Sequence, residues 1–240
     1  MKKKLFAVSK FALAVGVASA MFFSGKIRAS EILYQFNTPF PSDPSPVGAA
    51  PWIDAFFSNA TPGTVFLTIT NAGFVGSELA SELYFNLNPN LDPNSLIFTL
   101  VSSNGSFAIP SIDHQNADSY KADGDGKYDM RFNFGTANGT TFTTGDSISY
   151  QITGISSLTA FDFGYLSAPA GGSGPFYAAG HIQGIPPNGS VSTWIEPGAG
   201  PIPIVPVPEP APVALLGLAS GLWFAVRIIR RRVRTFSPPA

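Results

Sequence analysis

Apolar and polar side chains alternate with a period of two through the interior of the chain. Val65, Leu67 and Ile69 alternate with Phe66, Thr68 and Thr70, and Ile148, Tyr150 and Ile152 alternate with Ser149 and Gln151. Tyr128, Met130, Phe132 and Phe134 alternate with Asp129, Arg131 and Asn133. That period describes antiparallel strands with one buried face. Ile32 to Phe36, Ile53 to Phe57, Leu83 to Leu87, Leu96 to Val101, Leu158 to Phe163, Tyr177 to Gln183 and Ser192 to Ile195 are further candidate strands. Asn71-Ala72-Gly73, Asn88-Pro89-Asn90, Asp92-Pro93-Asn94, Asn104-Gly105, Asn138-Gly139 and Asn188-Gly189 punctuate them as turns. Only Gly76 to Leu83 has any helical character, and it reads equally well as a loop entering a strand. About ten short strands at this spacing predict an all-β fold: one antiparallel β-sandwich, jelly-roll or immunoglobulin-like.

The two ends break the pattern. Lys2, Lys3 and Lys4 precede an apolar run from Phe11 to Phe23, the arrangement of a secretory signal peptide. Cleavage fits after Ala20 or after Ala29, and the second leaves no apolar stub, so residues 1–29 are taken as the signal. At the other end, residues 198–210 hold Pro201, Pro203, Pro206, Pro208 and Pro210, which favour an extended spacer. Ala211 to Val226 carries no charge, and with Ile228 and Ile229 it approaches the ~20 residues of a membrane span. Arg227, Arg230, Arg231, Arg232 and Arg234 follow, a basic stop that orients this end toward the cytoplasm. The expected organisation is a signal peptide at 1–29, a β-sandwich at 30–197, a Pro-rich linker at 198–210 and a transmembrane helix with Arg-rich tail at 211–234.

Val207-Pro208-Glu209-Pro210, an apolar helix and an arginine tail together resemble the PEP-CTERM sorting signal of Gram-negative bacteria. The resemblance covers about 30 residues, and it departs from the family in the longer tail from Thr235 to Ala240. It implies Sec-dependent export and recognition of Pro208, Glu209 and Pro210 by exosortase, a membrane-embedded cysteine transpeptidase-like protease. It also implies a protein of the cell surface or extracellular matrix, associated with exopolysaccharide and biofilm, held in the inner membrane until it is sorted.

Charge sharpens the picture of the middle. The formal net charge of −1 hides a basic N-terminus, a basic C-terminus and a region from Glu31 to Pro210 with fifteen acids against Lys121, Lys127 and Arg131, a net of −12. Nucleic acid is excluded as its partner. The chain has no Cys, which removes disulfides and thiol chemistry, while 21 Phe are available to fill the layer between sheets.

Four constellations are candidates for chemistry. Asp123, Asp125 and Asp129, in the run Lys121-Ala-Asp-Gly-Asp-Gly-Lys-Tyr-Asp129, supply alternating carboxylates around glycines. Oxygen ligands that converge while the backbone bends are what Ca²⁺ requires. The same residues also read as an acidic hairpin turn. Trp52 and Trp194, with Tyr84, Tyr165 and Tyr177, are candidates for a sugar-stacking platform. Glu78, Glu82, Asp113 and Asp162 are the acids from which a glycosidase pair would have to be drawn. His114 and His181 sit in different segments without a recognisable nucleophile motif. The reading that follows is a non-enzymatic exported surface or matrix protein, with a carbohydrate-binding or adhesive sandwich as the alternative and a secreted glycoside hydrolase behind both.

Overall fold

The computed structural model describes residues 31–204. The signal peptide at 1–29, the motif Pro208, Glu209 and Pro210, the apolar segment from Ala211 and the arginines Arg227, Arg230, Arg231, Arg232 and Arg234 lie outside the described residues. Among the described residues no helix is long and apolar enough to cross a membrane.

Fourteen strands carry the fold: β1 (Glu31–Phe36), β2 (Thr38–Pro39), β3 (Ile53–Thr61), β4 (Thr64–Asn71), β5 (Leu79–Phe85), β6 (Ile97–Asn104), β7 (Ser111–Asp113), β8 (Tyr120–Ala122), β9 (Gly126–Tyr128), β10 (Met130–Asn133), β11 (Ser147–Thr153), β12 (Ala178–Ile185), β13 (Val191–Glu196) and β14 (Ile202–Ile204). They form one six-stranded sheet in the order β14-β1-β3-β4-β11-β6, a second in the order β2-β13-β12-β5-β10-β7, and the small hairpin β8-β9. Strand pairing is antiparallel throughout these ladders.

The two sheets pack because each turns one face of its period-two pattern inward. Ile32, Tyr34 and Phe36 of β1, Val65, Leu67 and Ile69 of β4, and Ile148, Tyr150 and Ile152 of β11 face Leu83 and Phe85 of β5, Met130 and Phe132 of β10, and Ile182 of β12 in one core. Phe85 is its centre. Its ring meets Phe57 at 5.4 Å, Phe132 at 5.7 Å, Tyr34 at 6.1 Å and Phe36 at 6.3 Å, three of these edge-on, the arrangement that suits the aromatic quadrupole. Gly180 of β12 faces this layer, and a Cβ there would stand 3.0 Å from Leu83 and 3.1 Å from Ile195. Because the core runs from Ile32 to Ile195, one hydrophobic interior spans residues 31–204, which is what an independently folding unit requires.

Three expectations need correction. Leu158 to Phe163 is not a strand: Ala160–Phe163 form a 3-10 turn. Asp162 Oδ2 accepts from the Thr159 amide and hydroxyl, both at 2.9 Å, and this local cap competes successfully with a ladder. The turn closes one end of the sandwich, where Phe163 stacks on Phe57 at 4.6 Å and its carbonyl accepts from the Tyr34 hydroxyl at 2.7 Å. The run from Tyr128 to Phe134 breaks at Asp129 into β9 and β10. Ile202–Ile204, expected in the spacer, pairs with β1 as an edge strand, so the sandwich extends to residue 204. The proline tract from Pro39 to Pro51 packs as an ordered edge. Glu78, itself buried, accepts from the Val47 amide at 2.5 Å and the Val75 amide at 2.9 Å, and Asp43 accepts from the Trp194 amide at 2.9 Å.

Both ends of the described chain meet. Glu31 is the register partner of Ile204, so the chain enters and leaves the sandwich at the same rung of one edge.

Candidate functional site

The proposed calcium ligands do not converge. Asp129 is buried, and its two oxygens accept from the Leu87 amide at 2.7 Å and the Asp118 amide at 2.8 Å. Burial pushes its carboxyl above the ordinary carboxylate range, with the two amides acting in the opposite direction. Asp125 turns instead to the glycine-rich segment, where its Oδ1 accepts from the Ser173 amide at 2.5 Å. A Cβ on Gly172 would fall 1.4 Å from that oxygen, so the glycine is required by the contact. Asp123 is exposed and adopts a left-handed φ of 47° at the hairpin tip. Among the described residues no group of three or more His, Cys, Asp and Glu side chains is placed to hold a metal ion. The acidic and glycine-rich runs thus dock on each other, with Lys127 and Ala168 exchanging both backbone hydrogen bonds at 2.9 and 3.0 Å.

The tryptophan pair is also divided. Trp52 is a core residue, 4% exposed, with its indole N–H donating to the Gly48 carbonyl at 2.7 Å. It cannot stack on a sugar. Trp194 lies on the outer face of the second sheet, half-buried. Its ring is parallel to His181 on the neighbouring strand, 4.5 Å away with 10° between planes, and its other neighbours are Tyr84 at 5.7 Å and Phe40 at 6.1 Å. An indole wedged in this way presents an edge rather than a free face.

What the fold does bring together is a polar strip across that outer face. Cross-strand pairing aligns Trp194 of β13 with His181 of β12, His181 with Glu82 of β5, Glu82 with Asn133 of β10, and Arg131 of β10 with Tyr84 of β5 on one side and Asp113 of β7 on the other. Five adjacent strands therefore contribute to one surface, and the period-two alternation that turns Leu83, Phe85 and Phe132 inward turns these residues out.

Arg131 organises the strip. Its Nη2 and Nε donate to Asp113 Oδ2 at 2.7 and 3.1 Å, Asn133 donates to the same oxygen at 2.9 Å, and Nη1 lies 3.6 Å from Glu82 Oε1. The guanidinium also sits 5.5 Å from the centre of the Tyr120 ring. The Arg131 hydrogen bond, followed by that of Asn133, holds Asp113 below the ordinary carboxylate value despite partial desolvation. The buried Tyr84 hydroxyl donates to Glu82 Oε2 at 2.9 Å, and burial together with that carboxylate pushes its own pKa up. His181 is shifted down by burial, an effect that Glu82, Asp123 and Asp43 oppose, so its imidazole is neutral at neutral pH.

The histidine is not part of a hydrolytic triad. Ser81 Oγ at 3.0 Å and Glu82 Oε2 at 3.8 Å both approach the same ring nitrogen, Nδ1, whereas a triad needs nucleophile and acid on opposite nitrogens. His114 is likewise structural in its contacts, with Nδ1 2.9 Å from the Pro93 carbonyl and its ring against Phe98. Of the four acids offered as a glycosidase pair, Glu78 and Asp162 are spent on backbone amides, as described above. Glu82 and Asp113 do share a surface, with Arg131 between them.

Sequence reasoning named Trp194 and Tyr84 but missed Arg131, Asn133 and the place of His181. The available signal was the alternation in Arg131-Phe132-Asn133: Arg131 is the only arginine between Glu31 and Pro210, on the polar side of a strong strand.

No protein-family model matches the chain, and no curated protein matches it. Among solved structures, a biomass-sensing module from an Rsgi-like protein of Clostridium thermocellum, of a kind that resembles family 3 carbohydrate-binding modules of the cellulosome, is similar at a TM-score of 0.27 and 13% identity. The overlap covers 66% of this chain and 94% of that one. A likeness this distant carries nothing over to ligand or site.

Proposed function

We propose that the sandwich is a non-catalytic carbohydrate-binding module whose ligand contacts come from the outer face of its second sheet. The observation that carries this reading is the convergence of Trp194, His181, Glu82, Asn133, Arg131 and Asp113 on one partly exposed surface. Carboxylates, an amide, a guanidinium and a neutral imidazole side by side offer the donors and acceptors that vicinal hydroxyls need, and the indole edge supplies apolar contact. Prior hydrogen bonds among these groups fix their rotamers before a ligand arrives, which reduces the ordering cost of binding. Hydrolysis fits poorly, because Arg131 lies between Glu82 and Asp113 and engages both carboxylates, where a glycosidase pair must face the scissile bond.

The test is titration of residues 31–204 with the exopolysaccharide of the producing cells. Arg131→Ala is expected to weaken binding by about tenfold or more, the scale of a lost charge-assisted hydrogen bond, and His181→Ala by about threefold to tenfold, the scale of a neutral one. Trp52→Phe, a core change, is expected to leave affinity unaltered in whatever fraction remains folded. Saturable binding that ignores the outer-face substitutions would place the ligand elsewhere.

A second reading concerns delivery. The resemblance of Val207-Pro208-Glu209-Pro210 and the segment after it to an exosortase signal supports export and sorting to the cell surface or matrix. The meeting of Glu31 and Ile204 at one edge is compatible with it, since leader removal and tail sorting would then act at the same corner and leave the sugar-facing sheet unobstructed.

A further inference from the structure

The two sheets have four edges, and three are guarded. β14 is three residues long and contains Pro203, β2 is Thr38–Pro39, and β7 is three residues long, follows Pro110 and carries Asp113. Short strands, prolines and charges are the devices by which sheet edges avoid pairing with other chains. β6, the fourth edge, has eight residues, Ile97-Phe-Thr-Leu-Val-Ser-Ser-Asn104, with neither a proline nor a charge. Among the described residues no strand pairs with its outer side. Its one irregularity is a bulge at Val101, between the partners of Ser149 and Tyr150, which leaves Ile97–Leu100 as the regular stretch.

The side chains of this edge are apolar and in solvent: Ile97 is 58% exposed, Val101 55% and Leu100 43%, with Ile109 at 47% beside them. Ile97, Leu100 and Ile109 border an open groove of about 510 Å³ that runs between β6 and the segment before β7, with Ile112 and Tyr150 in its wall. From Leu96 to Ile112 the chain carries no charge, although residues 31–204 hold fourteen acids and three bases.

We propose that β6 is a self-association edge, pairing antiparallel with β6 of a second copy about a two-fold axis so that the two apolar grooves close on each other. Three observations select this occupant. The free backbone of Ile97–Leu100 is complementary to itself in an isologous antiparallel pair. The edge is uncharged, so two strongly acidic domains meet there with the least repulsion. The described residues begin in β1 and end in β14, the latter five strand spacings or about 24 Å from β6, so a copy anchored at that edge still offers β6 to another. An eight-residue edge of a two-layer sandwich is about 27 Å by 22 Å, roughly 600 Å² per partner, at the lower end of what a stable dimer buries.

Sedimentation of residues 31–204 over a concentration series is the test. A twofold rise in mass with concentration is expected, and Ile97→Lys with Leu100→Lys is expected to hold the protein at monomer mass with an unchanged near-ultraviolet spectrum. Ile202→Lys on the opposite sheet edge is expected to leave the dimer intact. Should the double variant lose its native spectrum, Thr99→Cys in the thiol-free full-length chain replaces it, with an oxidised dimer band expected from whole cells. A wild-type domain that stays monomeric at the highest concentration, a dimer that persists in the folded double variant, or no disulfide-linked band from Thr99→Cys would overturn the proposal.

Discussion

At Asp129 one side chain decides how a local sequence pattern folds. Its carboxylate joins the segment after β5, β10 and the approach to β8 through the Leu87 and Asp118 amides, so Asp129→Ala strands a buried donor at Leu87 and a part-buried one at Asp118. A loss of about 3 kcal/mol is expected, read as a melting temperature lower by roughly 6–12 °C. Millimolar calcium is expected to leave the wild-type melting temperature where it is, because those oxygens already serve backbone amides; a calcium-dependent rise would restore the metal reading. His181 gives the pH dependence. The unfolded chain takes up a proton near pH ~6.5, whereas the folded imidazole, held down by burial, takes it up only at lower pH. Between those values the unfolded state binds more protons, so stability contributed by neutral His181 is present above pH ~6.5 and is lost as pH falls through the folded value. Asp129, shifted up, has the opposite sign and acts at more acidic pH, above the ordinary carboxylate value. Melting temperature is therefore expected to fall on acidification below pH ~6.5 more steeply in the wild type than in His181→Asn.

Elements with a full period-two pattern were legible, and those set by a partner were not. β1, β3, β4, β11 and β13 lie where the alternation puts them, because a strand with one buried face writes that burial into its own residues. β2, β7 and β14 are two or three residues long and exist through pairing with β13, β10 and β1, so nothing inside them could announce it. Leu158 to Phe163 misled for a related reason: its apolar residues fill the end of the sandwich, while the Thr159–Asp162 cap, the decisive feature, is a polar pair three residues apart. The acidic run taken alone read as a calcium site or a hairpin turn. Its actual relation to the glycine-rich run, Asp125 against Gly172 and Ser173, spans nearly fifty residues and appears only in three dimensions. The strip built on Arg131 was half legible. Its outward residues follow from alternation, but their alignment across five strands depends on register.

For the whole molecule, the sandwich separates three surfaces. The polar strip crosses one sheet face, β6 forms one edge, and both ends of the described residues occupy another. Such a layout suits a protein that is attached at one place, binds at a second and pairs at a third. Replacement of Pro208-Glu209-Pro210 by alanines is expected to make the full-length chain accumulate in the inner membrane, followed by immunoblotting of membrane and medium fractions. Unchanged processing would remove the sorting reading and leave the sandwich and its strip untouched.

The pairing of Glu31 with Ile204 also has a mechanical meaning. Tension applied between these two ends acts across a single rung and opens the β1–β14 ladder one pair at a time, in peeling rather than in shear. Ile204, Pro203 and Ile202 would detach in that order under modest force and lengthen the tether by a few residues, while the core built around Phe85 carried no load.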